Sequence, residues 1–141
     1  MIQSQNMTIK QAVLPVSLNN ATATAVEIDV RGFNHVTYVL HVGATTGAID
    51  SFKVQGAPTT GGTLADISGA TLATLPGASD DGKLYAIHID LTDKSINQFH
   101  QVDLSEDNTG TGIYGVTAIL SRNQNPADSA TDRGYAAEAF A

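Results

Sequence analysis

The sequence predicts an all-β protein, an antiparallel β-sandwich with jelly-roll-like connections and an irregular arm at each end. Three observations predict it. Side-chain character alternates with a period of two through most segments, which sets one face of each against a core. No stretch of ten residues before Ser121 carries a helical stripe, and the Val, Ile and Thr that fill these segments favour pleated sheet. Clusters of Gly, Asn, Asp, Thr and Pro punctuate the segments as turns do. The expected boundaries are an N-terminal arm over 1–12, a sandwich over 13–121 and a C-terminal arm over 122–141.

The first expected strand covers Ala23 to Val30, with Val26, Ile28 and Val30 inward and Ala25, Glu27 and Asp29 outward. After Arg31-Gly32, the run Phe33 to Val42 puts Val36, Tyr38, Leu40 and Val42 on one face and His35, Thr37, Val39 and His41 on the other. Gly43 to Gly47 reads as a turn. Ala48 to Gln55 follows, with Phe52 and Val54 sharing a face with Asp50. The Gly-, Thr-, Ala- and Pro-rich stretch 56–82 is expected to be irregular apart from a short strand near Leu64 to Ile67, because a long connection lets a Greek-key chain change sheets. Alternation returns at Leu84 to Leu91, where Tyr85, Ile87, Ile89 and Leu91 share a face, and again at Phe99 to Leu104. Gly112 to Ser121 is apolar on both faces, which suits a central strand.

Composition limits the function. With 141 residues one domain is expected, large enough to bury roughly two-thirds of its unfolded surface. Seven basic against 14 acidic residues give a charge of −7. Phosphate affinity comes mainly from Lys and Arg, so neither nucleic acid nor an anionic membrane is an expected partner. The absence of Cys excludes a disulfide scaffold, a zinc ribbon and a thiol nucleophile, and suits assembly in a reducing cytoplasm. The opening residues lack the basic start and apolar core of a secretory signal, and no apolar run approaches the roughly 18 to 20 residues of a membrane-spanning helix.

No constellation reads as an active site, so no catalytic residue, metal or cofactor is expected. Gly110-Thr111-Gly112-Ile113-Tyr114-Gly115 matches a dinucleotide-binding string, but strand rather than helix follows it, leaving no helix terminus to receive phosphate. Asp80-Asp81-Gly82 and Ser105 to Gly110 are oxygen-rich loops with turn chemistry and without calcium-loop spacing. His35, His41, His88 and His100 all lie on expected strands without ligand spacing, and His35, His41 and His88 read as lining a polar or inter-subunit face. A hydrolase would need Asp29, Asp50 or Asp90 to face another acid across a pocket.

Several segments in order carry a resemblance. Val16 to Thr24 leads into Ile28-Asp29-Val30-Arg31-Gly32-Phe33; then come Phe52-Lys53-Val54-Gln55, Asp66 to Thr71, Ile89-Asp90-Leu91, Ala118 to Arg122 and Asp132-Arg133-Gly134. This order resembles small virion proteins of tailed bacteriophages, often encoded near the major capsid protein. The resemblance implies a jelly-roll-like sandwich in the phage head, a decoration or cement protein that binds the outer shell and has the major capsid protein as its partner. A homo-oligomer is then expected, with a trimer favoured on threefold positions. An acidic charge suits the capsid exterior, away from packaged DNA.

The expected capsid contacts are apolar anchors in otherwise polar or small-residue ends, namely Ile2, Met7 and Ile9 at the start, and Tyr135 and Phe140 at the finish. The opposing expectation is that both ends fold back on their own sandwich or remain disordered. An alternative function is a tail- or fibre-associated module binding a host-surface glycan or protein. The scarcity of aromatic residues, 6% with no Trp, weighs against a sugar platform.

Overall fold

In the computed structural model, which describes residues 7–92, 98–121 and 137–141, the alternating segments form nine strands in two sheets. They are β1 (Met7–Leu18), β2 (Ile28–Asp29), β3 (His35–Thr45), β4 (Ile49–Ala57), β5 (Ala65–Thr71), β6 (Leu84–Asp90), β7 (Phe99–Glu106), β8 (Gly112–Ser121) and β9 (Ala137–Phe140). One sheet has the order β1-β8-β3-β6-β9, the other β2-β7-β4-β5. Antiparallel pairing joins β1 to β8, β2 to β7, β3 to β6 and β4 to β5. The first eight strands are therefore one long hairpin, with its tip between β4 and β5, rolled so that successive rungs fall in opposite sheets.

The alternation in the sequence explains the core. Val36, Tyr38, Leu40 and Val42 of β3 and Tyr85, Ile87 and Ile89 of β6 face Phe52 and Val54 of β4 and Val102 and Leu104 of β7, all buried in a single cluster. Full burial of each such side chain contributes about 1.5–3 kcal/mol. Tyr38 reaches across the sandwich, its hydroxyl 3.1 Å from His100 Nδ1, so two polar groups inside the core satisfy each other.

Four expectations are corrected. The N-terminal arm is strand from Met7 onward, paired Met7↔Ser121, Ile9↔Ile119 and Lys10↔Ala118. A central β8 needs a hydrogen-bonded neighbour on each side, and β1 supplies the second. The C-terminal arm likewise contains a strand, and β9 pairs parallel to β6, so the sandwich is not antiparallel throughout. Val26 is 46% exposed rather than inward. The chain around it crosses between sheets: Ala23 N–H donates to Leu104 O on β7, Val26 N–H donates to Ala12 O on β1, and Ile28 then pairs with His100 on β7. Asp50 is exposed because an irregularity between Ile49 and Ser51 shifts the register, and its carboxylate accepts from Ser105 Oγ.

The turn before β6 is organised by Asp80. Its carboxylate accepts from Gly77 N–H at 2.7 Å, Lys83 Nζ at 2.6 Å and Tyr85 OH at 3.0 Å, and these bonds, led by Lys83, hold its pKa down to about 2. A carboxyl with a depressed folded pKa stabilises fully above the ordinary carboxylate range and loses that contribution as pH falls toward 2. Asp80→Asn should therefore cost about 1 kcal/mol at neutral pH, a figure kept small because solvent screens the pair, and should flatten the stability profile between about pH 4 and pH 2. Chemical denaturation at several pH values checks both.

Candidate functional site

The two outer faces of the sandwich differ in chemistry. On the five-stranded sheet, strand alternation and register turn outward Met7, Ile9 and Gln11 of β1, Ile113, Gly115, Thr117 and Ile119 of β8, His35, Thr37, Val39 and His41 of β3, and Leu84, Ala86 and His88 of β6. None of these is Asp, Glu, Lys or Arg, and carboxylates stand only toward the far edge of the sheet, with Asp90 at the end of β6 and Glu138 of β9 in register with Ala86. The other sheet presents Lys53 between Asp66 at 2.9 Å and Asp103 at 3.9 Å, and Arg31 on Asp29 at 2.7 Å. In a chain of charge −7, the outward positions of β1 and β8 are thus kept free of charge.

The outer face of the five-stranded sheet has two parts. Toward β3 and β6 it is buried, at His35, Thr37, Val39, Ala86 and His88. Toward β1 and β8 it is open, with Ile9 61% and Ile113 48% exposed. Six residues apart along β8, the levels of Ile113 and Ile119, the partner of Ile9, are about 20 Å apart. Between them lies a groove of about 170 Å³. Gly43 and Gly115 line it without side chains, and Gln11, Pro15, His41, Ile113 and Thr117 surround it. His41 Nε2 lies 3.3 Å from Thr117 Oγ1.

Two imidazoles sit side by side in the buried part. The His35 and His88 ring centroids are 5.7 Å apart, and His88 Nδ1 is 2.9 Å from Thr37 Oγ1. Burial, reinforced by His88 and opposed by Asp90, lowers the His35 pKa. A base with a depressed folded pKa binds fewer protons folded than unfolded, so its neutral form stabilises fully above about pH 6.5 and the fold loses stability as pH falls below it. The melting temperature should accordingly decline from pH 7.5 to pH 5.5, with His35 contributing a slope of at most about 1.4 kcal/mol per pH unit. His35→Gln should flatten that decline in a thermal-melt series.

The other expected site residues are dispersed. Met7 is half-buried and Ile9 exposed on the open part of the face. Ile2 and Tyr135 lie outside the described residues, and the backbone of Phe140 pairs with His88. Asp29 is engaged with Arg31, Asp50 with Ser105 and Asp90 with Thr92, and none lines the groove. The Gly110 to Gly115 string runs into β8, whose first four residues belong to it. Among the described residues no group of three or more His, Asp or Glu is placed to hold a metal, and no helix is long and apolar enough to cross a membrane. The sequence reading missed Ile113, Gly115 and Pro15, whose only signal was the absence of charge at outward positions.

No family model matches the chain, and no curated protein matches it. Among solved structures, it is similar to the Clostridium thermocellum endo-1,4-β-D-xylanase 10B, seen as CBM22-1–GH10 modules complexed with xylohexaose, at 9% identity and a TM-score of 0.50 over 88% of this chain. What the two share is the β-sandwich. The chain spans 27% of that xylanase structure. It is also similar to a pilus protein of Bacillus endospore appendages, at 13% identity and a TM-score of 0.45, covering 84% of this chain and 90% of that one.

Proposed function

We propose that this chain is a non-enzymatic structural virion protein that decorates the outer surface of a phage capsid, docking through the outer face of its five-stranded sheet onto the major capsid protein. The charge-free outward positions of β1 and β8 carry the reading. Desolvating an Asp or Lys at an interface without a partner costs several kcal/mol, whereas the β1 and β8 face brings Ile9, Ile113 and Ile119 with no charge to desolvate. The sheet bearing Lys53, Asp66 and Asp103 then faces water. Each docked copy gains modestly, and many copies, held as homo-oligomers with a trimer favoured on threefold positions, sum to a large stabilisation of the shell.

Purified protein mixed with undecorated capsids should co-sediment and raise the temperature at which the shell melts. Absence of both effects overturns the proposal. A second reading, a tail- or fibre-associated module that binds a host-surface glycan, draws on the groove beside Gln11, His41 and Thr117, whose polar groups suit hydroxyls. The sandwich shared with a xylanase carrying a CBM adds to it. Retention on an immobilised host glycan, with no capsid binding, would favour that reading.

A further inference from the structure

The ninth strand does not continue the rolled hairpin. β8 ends at Ser121 beside His35, and His35 in turn pairs with Asp90 at the far end of β6. β9 begins at Ala137 beside Tyr85, at the near end of β6, and runs parallel to it. The fifteen residues 122–136 must therefore connect points separated by three strand spacings and about five residues along the sheet, roughly 20–25 Å. Extended, they reach about 50 Å. The connection is long enough to deliver β9 to a β6 edge other than its own.

The seat and the strand are unequal partners. Tyr85, Ile87 and Ile89 put the inward face of β6 in the core, and the edge of β6 away from β3 has backbone groups that need a partner. β9 provides it with four residues, and the chain just beyond adds two bonds, Ala141 N–H to His88 O at 2.8 Å and Asp90 N–H to Ala141 O at 3.0 Å. Among its described side chains, Ala137 and Ala139, followed by Ala141, pack partly buried against the core. The strand is short, and seating it on another copy restores every contact identically.

We propose that β9 is an exchangeable strand, and that in concentrated protein it completes the five-stranded sheet of a second copy of this chain by pairing with that copy's β6. Crowding decides the balance: the intramolecular strand competes at an effective concentration in the millimolar range, so exchange prevails where copies are held close together. Only β9 and β6 are involved, so exchange is expected whether or not the protein binds capsids.

The chain has no Cys, so a disulfide reports the pairing without background. Ala86 and Glu138 are register partners. Two single variants, Ala86→Cys and Glu138→Cys, mixed in solution, incubated at rising concentration and oxidised, should yield a covalent heterodimer. Its linked peptides should join the thiol introduced on β6 of one chain to the thiol introduced on β9 of the other. The double variant, diluted, should instead close on itself. Adding Ala139→Pro, which obstructs parallel pairing of β9, should abolish the heterodimer and so separate strand exchange from chance collision. A heterodimer absent at every concentration, or unaffected by Ala139→Pro, overturns the proposal. Circular dichroism and melting of each variant verify that it remains folded.

Discussion

Replacing Ile9 and Ile113 together by Lys is expected to reduce capsid attachment at least 100-fold while changing the melting temperature by no more than about 2 °C. The two side chains lie at opposite ends of the open face, 61% and 48% exposed, so the isolated fold loses little when they change. In a docked complex each Lys would remove apolar contact and place an ammonium among outward residues of β1 and β8 that include no carboxylate to meet it. That combination costs about 2 kcal/mol or more per site, and every 1.4 kcal/mol is tenfold in affinity. Gln101→Lys, on the outward face of β7 in the charged sheet, is the control and should bind as the parent does. Equal loss in the control and the double variant would show that added charge, and not the face, governs attachment. An unimpaired Ile9→Lys/Ile113→Lys protein would remove this face as the contact.

The largest stability effect is expected at the close approach of the β3–β4 turn to the β7–β8 loop. A Cβ on Gly110 would sit 2.5 Å from the carbonyl oxygen of Thr46 and 2.8 Å from Gly47 N, both backbone atoms that cannot rotate away. Gly110→Ala should therefore cost about 3 kcal/mol or more, a fall of roughly 10 °C for a domain of this size. Gly47→Ala meets a side chain first, with the backbone carbonyl carbon of Gly110 next at 3.0 Å. Its Cβ would collide with Glu106 Oε1, the buried carboxylate oxygen that has no hydrogen-bond partner, while Oε2 accepts the Asn20 N–H at 2.5 Å. A double-mutant cycle separates the two causes. Gly47→Ala should cost less in a Glu106→Ala background, whereas Gly110→Ala should cost the same in both. Urea unfolding of these variants measures the coupling, and a Gly110→Ala protein within about 1 kcal/mol of the parent would mean that the two loops separate easily.

Much of the sandwich is legible because burial imposes period two. Val36 to Val42 and Tyr85 to Ile89 alternate in sequence as they do in space, since both sides of β3 and the inner side of β6 are held by neighbours in a regular ladder. Where regularity breaks, reading from pattern fails for a physical reason. Asp50 alternates with Phe52 in the sequence, but a register shift opposite β7 turns it out to solvent. Val26 has the spacing of a core residue, yet its segment leaves the ladder to bond with β1. Met7 to Ala12 carries Lys10 and Gln11 among its apolar residues, so nothing local marks it as strand, and pairing with β8 decides. The described side chains that β9 sets against the core are alanines, too small to mark a strand by pattern. The candidate face was harder still, because a Thr, an Ile and a His become one surface only when Thr117, Ile113 and His41 are brought together by register between β8 and β3.

The rolled hairpin also dictates an order of events during synthesis. β1 leaves the ribosome early, but its partner β8 is among the last strands made, so β1 waits through almost the whole of translation with its backbone unpaired. A waiting strand is a template for a neighbouring nascent chain. β1 carries features that discourage such pairing: Pro15, which has no N–H to donate, two register shifts that bend its middle, and the charge of Lys10. Straightening this strand, for example by Pro15→Val, would be felt first as insoluble product in the expressing cell, before any change in the finished fold.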